Sequence, residues 1–324
     1  MVYDVVTMGE TMIRFTPPHL QRIEQAQNFD LYCGGSESNV SVGLARLGLN
    51  VAWLSRLTDN PMGHAITNVI RQFGVDTSHV IWTPNDRVGL YFVEEGTPPR
   101  GISVYYDRAN SAMSRIQPDD IDDNYFINNP ARLFHSSGIT LAIGEPARET
   151  TYKMFKLAKE ANCIISFDFN YRHKLWSVED AVKYCDPCAE LADIIFIPVR
   201  DAIHLYGLSS DSQPHNIMKY LQSKFPETII VMTLGADGAM GCNKQGDIQQ
   251  EMALPITPLS RVGAGDAFVA GFLYAYLTNG FDNALRWGVC ASALKFSIQG
   301  DMPLFTHAEL SNLVAGDGDL LIKR

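Results

Sequence analysis

Tyr3-Asp4-Val5-Val6-Thr7-Met8-Gly9 is a short apolar run closed by a glycine, the pattern of a buried strand. Similar runs recur at Val51–Leu54, Leu133–His135, Cys163–Phe169, Ile194–Ile197 and Thr228–Leu234. Between them lie helical patterns at Asn39–Leu47, Pro61–Phe73, Pro146–Glu160, Val178–Leu191 and His215–Lys224. Strands that alternate with helices, in runs too continuously apolar to be half exposed, predict an α/β fold. Its mostly parallel central sheet carries helices on both faces. Right-handed crossovers then gather the loops that follow the strands along one edge, where such folds bind ligands.

Two segments, about 12–35 and 87–107, break this alternation. They hold strand-like pieces such as Val88-Gly89-Leu90-Tyr91-Phe92-Val93 and Ile102-Ser103-Val104-Tyr105-Tyr106, separated by turn-rich stretches and without a helix signal. A small β-sheet projecting from the main body, placed to act as a lid, is expected there. The span 1–324 otherwise reads as one domain, with no linker, repeat or low-complexity run.

Of the 324 residues, 46% are hydrophobic and 19% charged, which suits a large core. The net charge of −10 disfavours a nucleic-acid surface but says nothing against a small anionic ligand held by a few local cations. The start Met1-Val2-Tyr3-Asp4-Val5-Val6 lacks signal-peptide character, and the longest apolar candidate, Ala267 to Leu277, falls short of a membrane span. A cytoplasmic chain without membrane contact is expected. Cys185-Asp186-Pro187-Cys188 is the one close cysteine pair. With no second pair beside it, packed thiols in a reducing compartment are the better reading than a zinc site.

The chemistry concentrates in Gly263-Ala264-Gly265-Asp266, followed by the buried-helix pattern Ala267-Phe268-Val269-Ala270-Gly271-Phe272-Leu273. The first amides of a helix lack internal partners and carry partial positive charge, and small side chains let an anion reach them. An aspartate at that helix start can take a proton from an attacking hydroxyl. An N-terminal aspartate is also an ordinary helix-start residue, so the turn alone leaves both readings open. No Gly-Lys-Ser/Thr follows, so this is not a Walker-type loop. A second constellation, Gly34-Gly35-Ser36-Glu37-Ser38-Asn39, offers close backbone approach and, in Asn39, both a donor and an acceptor for a polyhydroxylated ligand. It can equally be read as a turn capped by Ser36 or Ser38.

These two segments resemble the two signatures of the ribokinase (PfkB) family of carbohydrate kinases, and the resemblance spans essentially the whole chain. It implies a ribokinase-like fold with a small β lid over a sugar, ATP with Mg2+, and transfer of the γ-phosphate to a hydroxyl. It also implies that Asp266 is the catalytic base, that the amides of Ala264, Gly265 and Asp266 after Gly263 form the anion hole, and that Gly34, Gly35 and Asn39 hold the sugar. Thr233-Leu234-Gly235-Ala236-Asp237-Gly238 resembles the turn beside the triphosphate, which assigns Thr233, Gly235 and Gly238 to the nucleotide.

Gly9-Glu10-Thr11-Met12-Ile13-Arg14-Phe15-Thr16-Pro17-Pro18 and Ser292-Ala293-Leu294-Lys295-Phe296-Ser297-Ile298-Gln299-Gly300-Asp301 are similar to segments of 2-keto-3-deoxygluconate kinases within that family. By that similarity, Arg108 of Tyr105-Tyr106-Asp107-Arg108 and Arg172 of Phe167-Asp168-Phe169-Asn170-Tyr171-Arg172 bind a substrate carboxylate. Guanidinium forks suit that task. Tyr91, Tyr106 and Asn170 complete the expected sugar site, with Tyr91 and Tyr106 each supplying an apolar face and a hydroxyl. The bland alternative for Arg108 is pairing with Asp107 or Glu94. An Asn-x-Arg segment at this place also occurs in fructokinases of the family, so a neutral-sugar kinase is the alternative. A sugar-binding protein that has lost catalysis is a third reading.

Two departures from the family pattern stand out. Pro198-Val199-Arg200-Asp201 occupies the place of a common Asn-x-x-Glu, leaving Asp201 to serve magnesium indirectly. Ser260 stands where an acidic residue often precedes the glycine turn, which leaves a monovalent-cation site open. A homodimer through the lid is expected by the same resemblance, since an exposed small sheet has edges to cover.

Overall fold

The computed structural model describes residues 2–316; Met1 and the last eight positions of the 1–324 span lie outside the described residues. Thirteen strands are found among them: β1 (Tyr3–Met8), β2 (Met12–Thr16), β3 (Asp30–Gly34), β4 (Val51–Thr58), β5 (Val80–Thr83), β6 (Leu90–Glu94), β7 (Ser103–Asp107), β8 (Ala131–Ser137), β9 (Ile164–Asp168), β10 (Ile194–Pro198), β11 (Ile229–Thr233), β12 (Ala239–Cys242) and β13 (Ile248–Glu251). Nine of them form one sheet in the order β13-β12-β11-β10-β9-β8-β1-β4-β5. Neighbours from β11 across to β5 run parallel, and only β12 and β13 turn back antiparallel at one edge.

Strand order proceeds outward from β1 in both directions, through β4 on one side and β8 on the other. Such a reversal opens a crevice at the carboxyl ends of the strands. The two faces of the sheet bury separate cores. Val6, Phe134, Ile195 and Ile197 belong to one, and Val5, Leu133, Ile194 and Phe196 to the other. That alternation along each strand is why these segments are apolar throughout.

The second sheet, β3-β2-β6-β7, is built from the two segments that interrupt the alternation. Its β2–β6 pair is parallel and sets Arg14 opposite Tyr91. Phe15 stacks on Phe92 at 5.2 Å, with Phe29 edge-on to both. The sheet is fastened to the main body from inside. Arg14, buried, donates to Asp301 Oδ2 (2.9 Å) and Glu95 Oε1 (2.8 Å), while the Tyr91 hydroxyl donates to Asp301 Oδ1 (2.5 Å).

The structure adds elements that the pattern does not single out. The helix Ala284–Lys295 is nearly buried all round, so it lacks a one-sided apolar stripe. The helix Val199–Tyr206 follows directly on a proline, and the edge strands β12 and β13 are short and joined by a tight turn. Cys185 and Cys188 both lie buried on the helix Val178–Leu191, where burial pushes their thiols up. No helix among the described residues is long and apolar enough to cross a membrane.

Candidate active site

The helix Ala264–Asn279 begins on the carboxyl-edge side of the sheet because Gly263 can turn there. Its φ is +80°, and a Cβ at that position would lie 1.9 Å from the Asp301 carbonyl oxygen, so no other residue fits. The amides of Ala264, Gly265 and Asp266 therefore start a helix with no internal acceptors, and the space around Gly265 is open. All four residues of the turn line a cleft of about 1030 Å³.

Asp266 is held on two sides by neutral donors. Asn39 Nδ2 donates to Oδ2 at 2.7 Å and Ser36 Oγ donates to Oδ1 at 2.9 Å. Asn170 Nδ2 donates in turn to Ser36 Oγ at 2.8 Å. The helix carrying Ser36 and Asn39 starts at Ser36, three residues earlier than the pattern predicts, because Gly35 is still extended and Ser36 is already helical. Neither Ser36 nor Ser38 caps it: the first hydroxyl serves Asp266 and the second donates to the Gly35 carbonyl. Glu37 seats the helix from below, its buried Oε1 accepting from the Ser137 amide, the Ser137 hydroxyl and Thr140.

Burial raises the Asp266 carboxyl; the Asn39 and Ser36 donors and the Arg172 charge pull it back, while Asp301 adds to the rise. Asp168, at the end of β9 and on the cleft wall, is pushed up to about 8 by burial and then by the Asp266 charge. Its Oδ1 accepts from the Asn170 amide at 3.0 Å. Arg172 lines the same cleft, and among the described residues its guanidinium makes one hydrogen bond, a long 3.5 Å contact to its neighbour's carbonyl. Within ion-pair distance it meets no carboxylate among the described residues.

Thr233 at the end of β11, with Gly235 and Gly238 on the turn after it, lines the cleft together with Leu254, Ile256, Val289 and Phe296. Tyr106 reaches it from the small sheet. Asp201 sits in the first turn of its helix, buried, with Oδ2 unpartnered and Oδ1 3.4 Å from Arg200 Nε. Burial raises its carboxyl, and Arg200 and Arg172 oppose that rise.

Gly34 and Gly35 lie where β3 runs into this helix. A side chain at Gly34 would strike the Tyr91 hydroxyl, and one at Gly35 the Glu10 carbonyl. Two expectations change here. The Tyr91 hydroxyl is spent on Asp301, so Tyr91 anchors the small sheet rather than presenting a free hydroxyl. Arg108 does not stand beside Arg172 on the cleft wall. It is drawn to Glu10, Nε donating to Oε2 at 2.8 Å with an Nη2 contact to the same oxygen, and its guanidinium lies over Tyr106. Neither Asp107 nor Glu94 pairs with it, since Arg87 takes the first and Arg22 and Arg100 the second. Ser36, Asp168 and Asp301 were given no site role from the sequence, although each lies inside a segment quoted for its resemblance or its turn.

A sheet reversed about β1, a smaller sheet overhanging its carboxyl edge and a carboxylate set at a glycine-turn helix start define a ribokinase-like small-molecule kinase. The pfkB family carbohydrate kinase model matches residues 3–304, and the chain belongs to that family: it is a carbohydrate kinase. It is 36% identical, over the whole of both chains, to the 2-dehydro-3-deoxygalactonokinase of Haloferax volcanii. It is 31% identical to the 5-dehydro-2-deoxygluconokinase of Geobacillus thermodenitrificans over 91% of this chain and 87% of that one. Among solved structures, the 2-dehydro-3-deoxygluconokinase of Thermotoga maritima superposes with a TM-score of 0.89, at 32% identity and over 98% of this chain and 99% of that one.

Proposed function

We propose that this kinase transfers the γ-phosphoryl group of ATP to the primary hydroxyl of a 2-keto-3-deoxy sugar acid. The observation that carries the chemistry is the Asp266 carboxylate, fixed by Asn39 and Ser36 beside three helix amides that have no partner among the described residues. Asp266 takes the hydroxyl proton as the oxygen bonds to the γ-phosphorus, and the bond to the β-phosphate oxygen breaks to release ADP. The amides of Ala264, Gly265 and Asp266 receive the charge that develops on the transferring group. Neutral donors orient the base without neutralising it, and its burial makes it a better proton acceptor.

The sugar lies between Gly34, Gly35, Asn39, Asn170 and Tyr106, under the small sheet as a lid. Arg172 holds the carboxylate, because it faces the cleft without an acid of its own. The substrate class follows the names of the relatives, which act on dehydro-deoxy sugar acids. The nucleotide takes the opposite end of the cleft, along Thr233, Gly235 and Gly238. Magnesium fits beside Asp201, whose buried Oδ2 lacks a protein partner and suits a water of the ion's shell; bound there, the ion offsets phosphate charge. Pro198 offers no side-chain donor to that arrangement.

We further read the enzyme as a cytoplasmic homodimer joined through the small sheet, whose Leu31 and Tyr105 are more than half exposed. A second reading, a neutral-sugar kinase, is favoured by one observation: Glu10 neutralises Arg108, one of the two arginines expected to meet a substrate carboxylate. An ATP-coupled panel of sugars and sugar acids decides between them. Preference for a 2-keto-3-deoxy sugar acid, with KM raised about 10- to 100-fold in Arg172→Ala, is expected for the first. Preference for fructose, unchanged in Arg172→Ala, would establish the second.

A further inference from the structure

Lys295 ends the helix Ala284–Lys295 and is wholly buried. Its Nζ donates to two main-chain carbonyls, Ile298 O and Gly300 O, each at 2.9 Å. A buried ammonium ordinarily pairs with a carboxylate, and the nearest sequence candidate is Asp301. Asp301 is already occupied by Arg14 and Tyr91, and Lys295 has no acid within ion-pair distance among the described residues. Its partners are neutral carbonyl oxygens, the ligands that monovalent cations also take from protein backbones. The C-terminal end of a helix favours a cation there as well.

The seat touches the anion-binding turn at two points. The Phe296 carbonyl accepts from the amides of Leu259 and Ser260, at 2.8 and 3.2 Å, and so hangs the strap before the turn from the residue after Lys295. The Asp301 carbonyl, one residue past the Gly300 oxygen that Lys295 holds, packs on Gly263, where a Cβ would be 1.9 Å away. Ser260, buried in that strap with its hydroxyl unpartnered among the described residues, brings no charge of its own to the seat. Burial lowers the Lys295 amine to about 8, with Asp301 and Asp266 opposing that fall and Arg14 adding to it, so the ammonium is the main form at neutral pH.

We propose that Lys295 is a positioning residue that serves as a built-in monovalent cation: its ammonium fills the carbonyl-lined seat beneath the anion-binding turn, so turnover requires no potassium or ammonium ion from solution. This rests on the reading of that turn as the phosphoryl-binding element. The fixed charge holds the 298–301 carbonyls in place and keeps the Gly263 turn seated against them. It also contributes a positive field from below, where the low dielectric strengthens it.

The test compares wild-type phosphotransfer in tetramethylammonium chloride and in potassium chloride at equal ionic strength, using the best sugar acid of the panel. Equal turnover in both salts is expected; strict dependence on potassium overturns the proposal. Lys295→Ala is expected to lose at least about tenfold in kcat in tetramethylammonium chloride and to recover with ammonium or methylammonium ion, which a merely structural lysine would not allow. Should Lys295→Ala fail to fold, Lys295→Met keeps the volume without the charge and is expected to show the same loss. A folded variant with full turnover in tetramethylammonium chloride, or Lys295→Ala folded but restored by no cation, overturns the proposal. Wild-type protein that phosphorylates nothing in any salt overturns the functional reading instead, a result distinct from potassium dependence.

Discussion

Asp266 and Asp301 are aspartates on either side of the Gly263 turn, and the structure uses them in opposite ways. Asp266 is held by an asparagine and a serine, both neutral, and faces a cleft. Asp301 is buried under the small sheet, held by the Arg14 guanidinium and the Tyr91 hydroxyl. Both oxygens of Asp301 are committed to the small sheet, and it does not line the cleft. Neutral donors orient a carboxylate while leaving it able to take a proton. The lesson is that partners and access separate the two: neutral donors at a cleft leave Asp266 open to a substrate, while an arginine and a tyrosine enclose Asp301 between two sheets.

The sharpest way to break the comparison is to remove each carboxylate's charge in turn. Asp266→Asn is expected to lower kcat by about 10²–10⁴ while leaving sugar affinity and folding close to wild type, measured by coupled assay and calorimetry. Near-full turnover would deny Asp266 its role as base. Asp301→Asn should act first on stability: it removes one of the two carboxylates that the buried Arg14 meets, leaving Glu95, at a cost of about 1–3 kcal/mol read from urea denaturation. Replacing both partners, as Arg14→Met with Asp301→Asn, should recover much of that loss. If the double variant were no more stable than the single, the clamp would not be a pair.

A smaller effect separates the two arginines. Arg108→Ala is expected to raise KM for the sugar acid less than Arg172→Ala does, by under about tenfold, because its charge is already met by Glu10. A larger effect than that of Arg172→Ala would place Arg108 on the substrate after all.

A further effect is one of pH, and Asp168 supplies it. Burial holds its carboxyl up to about 8, so the folded protein keeps a proton that the unfolded chain releases near its ordinary value. That contribution to stability is fully present below about pH 4 and is lost as pH rises through about 8. Urea midpoints should therefore fall between about pH 5 and 9 more steeply for wild type than for Asp168→Asn. Parallel curves would mean that Asp168 ionises as an ordinary carboxylate.

Much of this was legible along the chain. The strands β1 and β10 and the helix Val178–Leu191 start where the apolar pattern starts, because runs buried on both faces or on one helical stripe leave an unbroken local record. The edge hairpin of β12 and β13 and the helix Ala284–Lys295 left none: the hairpin is short, and the helix is apolar all round. The pairing of the small sheet was also hidden, since β2 joins β6 in parallel across a long excursion through the main body.

The sequence by itself determined the alternating architecture, the glycine turn that starts a helix at Asp266, and the sugar-kinase signatures at both ends of the chain. These are local, written in residues a few positions apart. Only the tertiary structure decided which charges meet. Arg14 and Asp301 are 287 positions apart, and Arg108 and Glu10 are 98 apart. No periodicity encodes such pairs; they follow from how the two sheets stack over one strand edge. The same stacking gave Lys295 carbonyls instead of a carboxylate, because Arg14 and Tyr91 already hold Asp301. It also set Asp266 among neutral donors at the cleft, where a carboxylate can still accept a proton.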